Sequence, residues 1–93
     1  MDWNTPQSKR LIQAVLSLKT SDEARRFLRD LLTKEEISEF SKRFQTAEML
    51  SKQQPYSVIE KKTGLSSTTV ARVAHWLHKG RGGYGMVLRR LAN

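Results

Sequence analysis

The chain contains no cysteine, which removes both a disulfide framework and a thiolate metal site from consideration. No run of apolar residues approaches membrane-spanning length. The opening Met1-Asp2-Trp3-Asn4 lacks the basic-then-apolar pattern of a secretory signal, so a cytoplasmic protein without a membrane partner is expected. Prolines number two, at Pro6 and Pro55, and each punctuates a helical pattern. The most informative absence is acid in the last third. Residues 61–93 carry Lys61, Lys62, Arg72, Lys79, Arg81, Arg89 and Arg90 and no acidic side chain, whereas the first sixty residues hold ten basic and nine acidic groups. Nearly all of the net charge of +8 therefore sits at one end of the chain. A stretch so one-sided is either a solvated basic face or a surface for a polyanion.

Catalysis has no foothold. There is no nucleophile beside a base and no glycine-rich phosphate loop after a strand, and the carboxylates lie among arginines on amphipathic helices, where ion pairing accounts for them. No cofactor is expected and the protein is read as a non-enzyme. His75 and His78 stand three apart, but without a third ligand they do not make a metal site.

At 93 residues, 38% hydrophobic and 28% charged, the chain supports one domain with a lean core, which a second copy would help to complete. The apolar spacing is helical throughout. Thr5-Pro6 reads as a cap followed by proline in the first turn, and Leu11, Ile12, Val15 and Leu16 form the stripe of a helix ending near Leu18. Ser21 is expected to cap a second helix, with Asp22 and Glu23 at its positive end and Ala24, Phe27, Leu28 and Leu31 on its apolar face. Thr33-Lys34-Glu35-Glu36 has the form of a capping box. It opens a long helix whose buried stripe is Ile37, Phe40, Phe44, Ala47 and Leu50, running to about Gln53 before Gln54-Pro55-Tyr56 breaks it.

Residues 56–78 then read as a helix-turn-helix. Gly64 ends the first helix, where a left-handed backbone suits glycine. Leu65 drops into the core, and Ser66 caps a second helix in which Val70, Val73 and Leu77 face inward. Ser67, Thr68, Ala71, Arg72 and His75 remain outside, a face of small groups and one arginine that allows close approach to a major-groove edge. A helical hairpin that merely packs has the same bare pattern; the charge asymmetry favours the nucleic-acid reading. The segment Lys79-Gly80-Arg81-Gly82-Gly83 is too glycine-rich for an element, and either meets phosphates or is simply flexible. Tyr84, Val87, Leu88 and Leu91 place a closing helix over 84–92.

Several residues carry this reading beyond a general six-helix pattern. They are Leu16-Ser17-Leu18-Lys19, Arg26-Phe27, Asp30-Leu31-Leu32-Thr33, Glu36-Ile37, Arg43, Ala47 to Leu50, Ile59-Glu60, Thr63-Gly64, Thr69-Val70 and Arg72-Val73. In that order the chain from Ala14 onward resembles the Trp-repressor-like family, nearest its YerC/YecD branch. The resemblance implies an all-α, six-helix domain over residues 1–93: core and dimerisation helices in 1–53, the helix-turn-helix in 56–78 and the closing helix in 84–92. It further implies a transcriptional regulator, repressor-like, working as an intertwined homodimer on double-stranded DNA, with two reading helices about one DNA turn, ~34 Å, apart on a near-palindromic operator.

Trp repressors hold L-tryptophan beside the reading helix. By position, the corresponding effector pocket here is Thr33, Arg43, Thr69, Arg72 and Val73. Val73 replaces the glycine that makes room for the indole, so a small-molecule effector, if one is used, is expected not to be tryptophan. For Arg43, an ion pair with a carboxylate of the second or third helix is the competing role. Base contacts are assigned to Ser67, Thr68, Ala71, Arg72 and His75, and phosphate contacts to Lys61, Lys62, Lys79 and Arg81. Glu60 is out of place beside DNA; local pairing with Lys61, Lys62 or Arg72 is the favoured account, and reading of a cytosine amino group the other. Trp76, between the buried and exposed faces, is assigned to the core, with the wall of whatever replaces the tryptophan site as the alternative, and Trp3 is a residue that a partner subunit could cover. The rival readings are a helical adaptor docking its basic end on an acidic protein, and a binder of RNA or of DNA without sequence preference.

Overall fold

A computed structural model gives residues 1–92 as six α-helices with no strand among them: α1 (Pro6–Leu16), α2 (Ser21–Leu31), α3 (Lys34–Ser51), α4 (Tyr56–Thr63), α5 (Ser67–Lys79) and α6 (Gly83–Ala92). The chain forms two compact units, Met1–Lys34 and Glu35–Asn93. Among the described residues no helix is long and apolar enough to cross a membrane.

In the first unit, α1 begins as its sequence dictates: the Ser8 N–H donates to Thr5 Oγ1 at 3.1 Å, and Pro6 occupies the first helical position, where a missing donor costs nothing. The helix stops two residues before Leu18. The cap of α2 is Thr20 rather than Ser21. Thr20 is extended, with φ −131°, and its Oγ1 accepts from the Glu23 N–H at 3.1 Å, while the Glu23 carboxylate accepts from the Lys19 N–H at 2.9 Å. Ser21 is simply the first helical residue; two adjacent hydroxyl residues offered two candidate caps, and the reach to Glu23 decides between them. Neither α1 nor α2 contains a buried residue.

The second unit holds the core. Met49 of α3, Ile59 of α4, Leu65 of the turn that follows and Val70 of α5 cluster, with Leu50 packed against them. The stripe expected along α3 is buried only toward its C-terminal end, where Thr46, Ala47 and Met49 are enclosed; Phe40 remains 44% exposed, with the Arg43 guanidinium over its ring. The helix also ends earlier than Gln53. Gln53 itself takes a left-handed φ of 61°, the Gln54 N–H donates to the Met49 carbonyl at 3.1 Å, and the Gln53 N–H to that of Leu50 at 2.9 Å. This is a Schellman-type stop at Gln53, two residues ahead of the proline that was expected to impose it.

Candidate nucleic-acid interface

The turn between α4 and α5 is held by four consecutive residues. Thr63 is buried, and its hydroxyl donates to the Ile59 carbonyl at 2.7 Å while accepting from the Leu65 N–H at 3.2 Å. Gly64 is left-handed at φ 76°, and its N–H donates to the Glu60 carbonyl at 2.8 Å. Leu65 then enters the core, and Ser66 caps α5 by accepting from the Thr69 N–H at 3.2 Å. The glycine, the leucine and the serine behave as their types predict; the bridging role of Thr63 has no signature beyond a hydroxyl at the last turn of a helix.

Successive residues of a helix are rotated by about 100°. On α5 this puts Val70, Val73 and Ala74 into the core, with Leu77 half-buried beside them. The opposite face carries Thr68, Ala71, Arg72, His75 and Lys79, all exposed, with exposed Ser67 on one flank. Trp76 lies on the other flank and is 54% exposed, so its assignment to the core was wrong. It stands only three residues from buried Val73, but α3 and α6 leave an open space opposite it. Its ring instead meets His75 edge-on at 5.3 Å and lines an open cleft of about 570 Å³ with Phe44, Tyr84 and Val87, Arg81 at the rim. The walls of this cleft come from α3, α5 and α6, which residue spacing within any one helix does not bring together.

The electrostatics separate along the chain. Ion pairs join Asp22 to Arg25 and Arg26 on α2, at 3.9 and 3.3 Å, and Glu39 to Arg43 on α3, at 3.4 Å. Among the described residues, none of Lys61, Lys62, Arg72, Lys79 and Arg81 has an ion pair or a side-chain hydrogen bond, and all five are exposed. Lys61 and Lys62 end α4, Lys79 ends α5, and Arg81 follows in a loop that Gly82 turns with φ 81°. Glu60 is likewise unpaired, so the local ion pair expected for it is not formed.

The family model for the Trp repressor protein matches residues 6–92. The chain belongs to the Trp-repressor-like family. Within that family it falls in the YerC branch: the uncharacterised YerC protein of Bacillus subtilis (strain 168) is 40% identical over 81 residues, covering 87% of this chain and 78% of its own. Among solved structures, a TrpR-like protein from Eubacterium eligens ATCC 27750 superposes with a TM-score of 0.92 at 42% identity, over 97% of this chain and 93% of the other. A candidate Trp repressor from Staphylococcus aureus does so with a TM-score of 0.92 at 33% identity, over 99% and 95%.

Of the residues expected by position in an effector pocket, Arg43, Thr69 and Val73 have partners within the chain. The Arg43 guanidinium, besides its pair with Glu39, lies 5.7 Å from the centre of the Phe40 ring. The Thr69 hydroxyl is 3.1 Å from Ser66 Oγ. Val73 is 3% exposed and packed inward, Arg72 is exposed, and Thr33 lies in the first unit next to the start of α3.

Proposed function

We propose that this member of the Trp-repressor-like family is a sequence-specific, DNA-binding transcriptional regulator, and that α4 and α5 form its helix-turn-helix. The observation that carries the reading is the exposed face of α5 with five unpaired cations on and around it: Lys61, Lys62, Arg72, Lys79 and Arg81. Side chains that have no internal partner keep their full charge for phosphates, and the small side chains of Thr68 and Ala71 let the helix approach base edges closely. In this reading Ser67, Thr68, Ala71, Arg72 and His75 meet bases, while Lys61, Lys62, Lys79 and Arg81 meet phosphates.

The regulator acts as a homodimer. Support comes from the first unit, where Leu11, Ile12, Val15 and Leu16 lie on α1 at 41–78% exposure and no residue of α1 or α2 is buried. A stripe of that kind needs a cover, and a second copy supplies one of matching chemistry. The operator is then near-palindromic. Tryptophan is not the effector, because the position that must be small to admit an indole is held by Val73.

The test is selection of bound duplexes from a random pool at near-physiological salt, followed by binding of the selected duplex to the wild type and to a Thr68→Ala, Arg72→Ala double variant. A two-fold symmetric consensus, bound at least ~10³-fold more tightly than random DNA by the wild type and lost in the variant, is expected. No consensus, with the variant binding as well as the wild type, would refute the reading and favour a nonspecific binder or an adaptor for an acidic protein.

A further inference from the structure

Glu60 is the only acidic side chain after Glu48, alone in a stretch of the chain that is otherwise neutral or basic. It stands on α4 with its carbonyl bound to the Gly64 N–H of the turn, and its side chain is half-buried. Two lysines follow it directly, yet it pairs with neither, and helix geometry gives the reason. At about 100° per residue Lys61 and Lys62 are turned away, while the positions that share its face, three and four residues off, are Tyr56, Ser57, Thr63 and Gly64, none of them a cation. Buried Ile59 and Thr63 then hold α4 so that Glu60 stays at the edge of the packed face.

A carboxylate placed there is repelled by the phosphates of a bound duplex, and among the described residues no cation pairs with it. A donor on the DNA supplies the missing partner. A carboxylate is an acceptor alone, so adenine, whose amino group sits beside the N7 acceptor, is a poor match; cytosine presents its N4 amino group to the major groove. We infer that Glu60 is a specificity-determining residue whose carboxylate accepts a hydrogen bond from a cytosine amino group in each half-site. The inference rests on the sequence-reading function proposed above. The same charge penalises every duplex that lacks a cytosine at that place, so one side chain favours the operator and disfavours the remaining DNA.

The experiment measures binding of the wild type, Glu60→Gln and Glu60→Asp to the selected duplex, to a random duplex, and to a set in which each C·G pair of the half-site is replaced in turn. Glu60→Gln keeps the shape and removes the charge. It is expected to bind random DNA more tightly, to narrow the ratio of selected to random affinity by about 5- to 150-fold, and to lose discrimination at one cytosine. Glu60→Asp keeps the charge and shortens the reach, and should lose that discrimination without gaining affinity for random DNA. If Glu60→Gln tightens both affinities by one factor and every cytosine preference survives, the inference is refuted, although the regulator reading stands. A wild type that binds all duplexes alike overturns the regulator reading itself and the inference with it.

Discussion

The five unpaired cations make a quantitative prediction about salt. Each phosphate neutralised by a protein releases condensed counterions, and the slope of log K against log salt is about −0.9 per contact on B-form DNA. Lys61 is exposed on the last turn of α4 with no ion pair or hydrogen bond, so replacing it with glutamine removes one charge per protomer without orphaning a partner. In a dimer two contacts are lost, and the slope should become shallower by about 1.8. If the two proteins bind equally near 1 M salt, the affinity at 0.1 M falls on the order of 60-fold. Arg26 is the control: it sits on α2, outside the proposed interface, with Nε 3.3 Å from Asp22 Oδ2, and Arg26→Gln should leave the slope unchanged. Fluorescence anisotropy of the selected duplex across a salt series reads both. An unchanged slope for Lys61→Gln, or an equal change for Arg26→Gln, would refute the assignment of the phosphate-facing surface.

Ile59 is fully buried at the centre of the core cluster, so Ile59→Ala should lower unfolding stability by about 2–5 kcal/mol in urea titrations, enough to leave a small domain partly unfolded. Gly64→Ala meets no atom and bears only the left-handed backbone cost of about 1–2 kcal/mol, whereas a Cβ at Gly80 runs into the backbone carbonyl of Trp76, so Gly80→Ala should be the more damaging of the two by thermal melting. Val15→Asp, placing a charge in the exposed stripe of α1, should shift the protein from dimer to monomer in sedimentation velocity; an unmoved dimer would place the interface elsewhere. Isothermal calorimetry with L-tryptophan should give no saturable heat, and a saturable isotherm would overturn the argument from Val73.

Much of the fold was legible because each signal was local. Thr5-Pro6, Gly64 and Ser66 act within four residues of themselves, and the structure bears out each. The structure departs from the pattern where the deciding contact has no signature in residue type. Gln53 ends α3 by closing a Schellman pattern onto Met49 and Leu50, in a residue type that rarely takes a left-handed φ, so no propensity announces it. Trp76 looked like core because it is large and apolar; whether it is enclosed depends on what α3 and α6 bring opposite it, and they leave a cleft. Phe40 carries the right spacing for burial yet is exposed, because spacing says which way a side chain points and not how much lies against it.

In the proposed reading, the positions that correspond to the Trp-repressor effector site serve the fold rather than a ligand. Three of those positions serve the chain's own packing: Arg43 is occupied by Glu39 and Phe40, Thr69 meets the Ser66 cap, and Val73 is spent in the core. Each of these uses stabilises a helix or a helix contact, and none needs an effector. In the proposed regulator the pose of α5 is accordingly set from inside. The left-handed Gly64 and the Thr63 hydroxyl fix how α5 leaves the turn, and Ile59 against Val70 fixes how it lies. On the resemblance, the isopropyl group of Val73 would fill the space that a glycine leaves to an indole in Trp repressors. A reading helix whose orientation is built into the core needs no small molecule to place it, so its occupancy of DNA would follow protein concentration and salt rather than the supply of an amino acid.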